Sequence, residues 1–150
     1  MKYFTISELC ASSVAKQQGI DNTPTKTIEY NLTKLVDAIL DPLRVLYGKP
    51  IIVSSGYRSP KLNKAVGGAS SSQHLTGQAA DIYVRNSNGT VNTTETRKLY
   101  DLIVDNKLPY DQVILEKGTV ANPQWIHVSY DETRGRRQKL YFNGKSYVQL

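Results

Sequence analysis

A single cysteine, Cys10, and two histidines, His74 and His127, are all the thiol and imidazole chemistry that this 150-residue chain contains. One thiol cannot close an internal disulfide, and it cannot build the thiolate-rich sites that usually hold structural zinc. Long apolar runs are also missing. The N-terminus, Met1-Lys2-Tyr3-Phe4-Thr5-Ile6-Ser7-Glu8, has no apolar signal core, and no stretch approaches the ~20 apolar residues of a membrane-spanning helix. The expectation is a chain made in the cytoplasm and not inserted in a membrane. Internal repeats and low-complexity segments are absent too, and an ordinary globular composition predicts one domain over residues 1–150.

Acidic residues are outnumbered, giving a formal charge of +6. Such a surplus favours an anionic partner, whether nucleic acid, a membrane surface or an acidic cell-wall polymer. The densest basic run is Arg134-Gly135-Arg136-Arg137 with Lys139. No aromatic-interleaved nucleic-acid motif accompanies it, so it reads as a solvated turn, and no nucleic-acid partner is expected.

Helices and strands alternate along the chain. Thr5 and Glu8 have capping-box spacing, which predicts a short helix from near Ser7, in one or two pieces, to Gly19. Ile28, Leu32, Leu35, Val36, Ile39, Leu43 and Leu46 recur at helical spacing and mark the main core helix, kinked or interrupted by Pro42. Ile51-Ile52-Val53 reads as a buried strand, and Ser59-Pro60 as the start of a short helix ending near Gly67. Thr93 or Thr94 is expected to cap a helix carrying Leu99, Leu102 and Ile103, followed by a strand Gln112–Glu116. Asn143-Gly144 signals a two-residue hairpin near the end.

The two histidines sit in Ser72-Gln73-His74-Leu75-Thr76-Gly77-Gln78-Ala79-Ala80-Asp81 and Trp125-Ile126-His127-Val128-Ser129. These segments read as two halves of one zinc site, since two imidazoles and a carboxylate leave a fourth position open for water. In the strand that begins at Ala79, Asp81 shares a face with Ala79 and Tyr83; around His127, Trp125 and Ser129 share its face. Pairing of those strands would aim Asp81 and His127 at one point.

The pattern Ser72, His74, Gly77, Ala79, Asp81, followed by Trp125-Ile126-His127, resembles the zinc D-Ala-D-Ala carboxypeptidases and peptidoglycan endopeptidases of peptidase family M15, phage endolysins included. Ser55-Gly56-Tyr57-Arg58-Ser59 and Phe4-Thr5-Ile6-Ser7-Glu8-Leu9 resemble its short phage and bacterial members. The resemblance implies an α+β domain of the hedgehog/DD-peptidase type, with helices packed on a small antiparallel sheet. It implies Zn2+ held by His74, Asp81 and His127, and peptidoglycan stem peptides as substrate.

In one branch of the family a glutamate three residues before the last histidine is the base, and this chain has Gln124 there. Glutamine cannot accept a proton, so Glu116 at its strand end is the candidate base. The resemblance gives Arg58 an active-site place, binding a substrate carboxylate or polarising the scissile carbonyl, with Ser72 and Gln73 as weaker substrate-binding candidates. Gln124 also leaves open a non-catalytic zinc-binding module of the wall or virion. The enzymatic reading predicts a phage-type lysin that acts on the bacterial wall after release through another protein's pore.

Overall fold

The computed structural model describes every residue from Met1 to Leu150. Thr5 accepts a hydrogen bond from the Glu8 amide and opens helix α1 (Ile6–Cys10), and Ser12 does the same for α2 (Ser13–Gln18), which ends on left-handed Gly19. Thr25 caps α3 (Lys26–Leu35), which continues through a π-helical segment, Val36–Leu40, into α4 (Asp41–Tyr47). The expected disturbance at Pro42 is this widened turn: the Asp41 amide reaches back five residues to the Val36 carbonyl, relieving the clash a proline ring makes with the preceding turn. The helix therefore runs on.

Strand β1 (Ile52–Ser55) leads to α5 (Pro60–Ala65), capped by Ser59. A 3-10 turn, Gln73–Thr76, precedes β2 (Ala79–Tyr83). Helix α6 (Thr93–Asp105) is capped by Asn92 and not by Thr93 or Thr94, because the Asn92 side chain is the one that reaches the Glu95 amide. Strands β3 (Gln112–Glu116), β4 (Trp125–Ser129), β5 (Gln138–Phe142) and β6 (Tyr147–Gln149) complete the chain. No helix is long and apolar enough to cross a membrane.

The fold is α+β, built on a six-stranded sheet ordered β1-β2-β4-β3-β5-β6. Every pairing is antiparallel except that of β5 with β3. The exception has a topological cause. β4 returns antiparallel on one edge of β3, and the chain after Ser129 turns back to run along the other edge, which makes β5 parallel to β3. The last hairpin pairs Phe142 with Tyr147 and the Asn143 amide donates to the Ser146 carbonyl, so the two-residue turn falls on Gly144-Lys145, one residue later than signalled, because the Asn143 side chain accepts from the amides of Lys145 and Ser146.

Period-2 alternation divides the labour between the two faces of the sheet. Ala80, Ile82, Val113, Leu115, Ile126 and Val128 are buried on one face against Leu32, Leu35, Ile39 and Leu43 of the long helix and Leu99 and Ile103 of α6. Asp81, Ile114, Glu116, Trp125 and His127 belong to the other face, which carries the site.

Candidate metal centre and active-site cleft

Asp81 and His127 are directly opposed on β2 and β4. His74 arrives from the 3-10 turn, where Ser72 accepts a hydrogen bond from the His74 amide and Gly77, at φ 73°, releases the chain into β2. The Oδ1 atom of Asp81 lies 3.2 Å from His74 Nε2 and 3.1 Å from His127 Nδ1. Ligand atoms set tetrahedrally at zinc–nitrogen and zinc–oxygen bond lengths are about 3.3–3.6 Å apart, so the spacing suits one ion. One ligand atom from each of the three residues fits within 4.8 Å of the others.

The protonation pattern fits as well. His74 is buried, and its Nδ1–H donates to the Gly56 carbonyl at 2.6 Å, leaving the Nε2 lone pair turned towards Asp81 and His127. Burial by itself would raise the Asp81 carboxyl. The charges and hydrogen bonds of His74 and His127 outweigh it and hold Asp81 well below the usual carboxylate range, as an anion. Asp81 thus presents an anionic oxygen and each ring a nitrogen turned to it, and a divalent cation would replace any proton those nitrogens share with the carboxylate.

The loop that supports His74 is braced from behind. A β-bulge at Ser54, between the pairs Val53↔Ile82 and Ser55↔Asp81, turns β1 away at the site. Gly56 then passes so close to the Leu9 carbonyl that no Cβ could be placed there, and the Tyr57 amide donates to that same carbonyl. The next amide, Arg58, donates to the His74 carbonyl at 3.0 Å.

These elements line a cleft of about 760 Å³ that contains His74, Asp81, His127, Arg58, Ser72, Gln73, Glu116 and Trp125. Apart from Asp81, Glu116 is the only carboxylate in its wall. Burial is the main cause that pushes the Glu116 carboxyl up to about 7, opposed by His127 and reinforced by Asp81. A carboxylate held there exchanges a proton readily near neutrality. Gln124 is exposed and outside the cleft, its amide donating to the Glu116 carbonyl.

Arg58 sits beside both carboxylates. Burial lowers its pKa against the pull of Asp81 and Glu116, and its buried Nε has no hydrogen-bond partner. A buried unpaired donor costs roughly 1–3 kcal/mol, so this arginine is held in the cleft wall against its own hydrogen-bonding preference. Ser72 is used as the cap of the His74 turn, and Gln73 donates its side-chain amide to Asp111 at 3.0 Å.

Sequence reasoning missed the opposite wall. Gln112 and Ile114 line it from β3, and the signal that could have found them is the strand's period of two, which puts them on one face with Glu116. Arg134, Arg136, Phe142 and Tyr147 also line it, brought there by the parallel return of β5. The basic run is not wholly a solvated turn: Arg136 makes a two-pronged pair with the fully buried Asp111, Nε to Oδ1 at 3.0 Å and Nη2 to Oδ2 at 2.9 Å.

Among curated proteins, none matches this sequence significantly. The sequence model of the Peptidase M15 family, in contrast, matches residues 2–129, a stretch that holds all three candidate ligands together with Arg58 and Glu116. The chain belongs to the peptidase M15 family, whose members are peptidases and typically zinc-dependent.

Proposed function

We propose that the chain is a zinc metallopeptidase that hydrolyses peptide bonds in the stem peptides of bacterial peptidoglycan. The observation that carries this reading is the placement of Glu116: it shares one cleft face with His74, Asp81 and His127, and its carboxyl is pushed up to about 7.

His74, Asp81 and His127 would hold the ion, leaving the cleft side of the site for water and substrate. When bound, zinc supplies Lewis acidity and lowers the pKa of water. Glu116 takes the proton that water loses as it attacks the scissile carbonyl, and returns it to the leaving amine. Arg58 lines the same cleft, and its guanidinium supplies positive charge for the carbonyl oxygen as negative charge develops there. Ser72 and Gln73 hold the turn of His74 and border the substrate path.

Resemblance to the short lysins at Ser55–Ser59 and Phe4–Leu9 supports a phage-type lysin within this class. Gln124 had kept a binding-only zinc module open; with Gln124 outside the cleft and Glu116 within it, turnover is the better-supported reading. The deciding experiment is digestion of purified sacculi by the zinc-loaded protein, with the new amino and carboxyl termini identified by mass spectrometry. New termini at one peptide linkage establish the activity and name the bond. Wall binding with no new termini establishes the binding module instead.

A further inference from the structure

Residues 130–150 lie beyond the stretch that the family model matches, yet they supply four of the residues lining the cleft. Two of these are arginines gathered on one buried carboxylate. Asp111 receives Arg136 through the Nε, Nη2 and backbone amide contacts, Gln73 through its side-chain amide, and Arg134 Nη2 at 3.4 Å. Two guanidiniums against one carboxylate leave a surplus of one positive charge facing the cleft. Asp131, the next carboxylate along, attracts both arginines at longer range but forms an ion pair with neither, and its Oδ1 accepts from the amide and hydroxyl of Thr133.

The geometry favours a ligand over a structural clamp. Arg136 uses Nε and Nη2 on Asp111, which leaves Nη1 and the outer edge of the fork for another acceptor. Arg134 is about half exposed, at 51%, and is held at only one nitrogen. Position along the strand says where such an acceptor lies. Asp111 immediately precedes β3, and Ile114 on that strand is opposite His127; three strand residues span about 10 Å. An extended peptide crosses that distance in two or three residues.

We propose that Arg134 and Arg136 form a carboxylate-binding subsite, and that the substrate is an acidic peptide carrying a carboxylate two or three residues from the bond that is cut. The proposal rests on the peptidase reading of the same cleft and names the chemistry of its substrate. Asp111 and Gln73 are positioning residues: they hold the guanidiniums in place and connect them to the turn that presents His74.

The test measures binding without turnover. The probe is a stem peptide containing L-Ala-D-Glu and ending in D-Ala-D-Ala, made with its glutamate carboxylate free or amidated. It is titrated into the zinc-loaded full chain carrying Glu116→Gln, and followed by the fluorescence of Trp125, the only tryptophan and a residue of the cleft wall. The free carboxylate is expected to bind about tenfold or more tightly than the amide, the scale of a charge-assisted pair. Adding Arg134→Gln should bring that ratio to about one while the amidated peptide binds as before, and Arg58→Lys should leave the ratio intact. Equal binding of the two probes in the parent overturns the proposal, as does a ratio that survives Arg134→Gln or collapses only with Arg58→Lys. Hydrolysis by the unaltered chain is scored separately. Cleavage without carboxylate preference removes the subsite and keeps the peptidase, whereas preference without cleavage does the reverse.

Discussion

One oxygen of Asp81 stands between two imidazoles, 3.1 Å from His127 Nδ1 and 3.2 Å from His74 Nε2, and the Asp81–His127 half of that contact is a direct cross-strand pair. The backbone register sets that half of the site, and the 3-10 turn delivers the other. The expected outcome is about one zinc ion per chain, lost on His127→Ala with the fold retained. Metal analysis of both proteins by plasma mass spectrometry checks it. Zinc at background in the unaltered protein would contradict the metal centre.

Glu116→Gln should keep zinc and lose at least about two orders of magnitude in rate, the usual scale for a general base. The unaltered enzyme should lose activity as pH falls, because Glu116 must be ionised to accept a proton. Its carboxyl is pushed from 4.5 up to about 7 by burial, and a bound cation favours the anion, so the acid limb should fall between those values. Near-normal wall hydrolysis by the variant would remove Glu116 from its role.

The same shift makes a stability prediction of opposite sense. A carboxyl whose folded pKa is raised costs the native state stability as pH rises from 4.5 towards 7, since the anion is the form that burial penalises. Metal-free Glu116→Gln should therefore be more stable than the parent at pH 8, by on the order of 2 kcal/mol, and similar to it at pH 4. Denaturant melts at the two pH values check the sign.

Arg58→Lys keeps a positive charge and removes the planar fork, so activity should drop at least tenfold with zinc content unchanged. Hydrolysis within about twofold of the parent would assign the oxyanion to backbone groups of the 67–73 loop.

Gly56→Ala should damage the site without touching a ligand. The added Cβ would collide with the Leu9 carbonyl, moving the backbone whose carbonyl accepts from His74 Nδ1. Orienting partners of this kind typically govern 10–100-fold in metal affinity, and competition with a zinc chelator measures the loss.

The chemistry of this site was more legible in the sequence than its enclosure. Asp81 and His127 could be paired from alternation alone, because a strand's period of two fixes which residues share a face. Glu116 came from its place at a strand end, from the disqualification of glutamine as a base and from a likeness to the short lysins. The segment around Arg134 and Arg136 could not be placed, since nothing local states that β5 runs parallel on β3. That pairing is decided by which edge of the sheet is free when the chain returns. Asn92 displaced the neighbouring threonines as a helix cap for a similarly non-local reason: the Thr93 and Thr94 hydroxyls are turned to Asn122.

The parallel register also sets a rule for length. Gln112 to Glu116 are matched one to one with Gln138 to Phe142, so each residue of β5 faces the cleft or the core according to its parity. Substituting residues in the 130–137 connection changes the cleft's lining. Deleting a single one would shift β5 by a step, turn Phe142 and Leu140 to the opposite side of the sheet, and bring Lys139 and Tyr141 to the cleft in their place. Apart from Arg134 and Arg136, which hold the buried Asp111, the connection can therefore vary in composition more freely than in length.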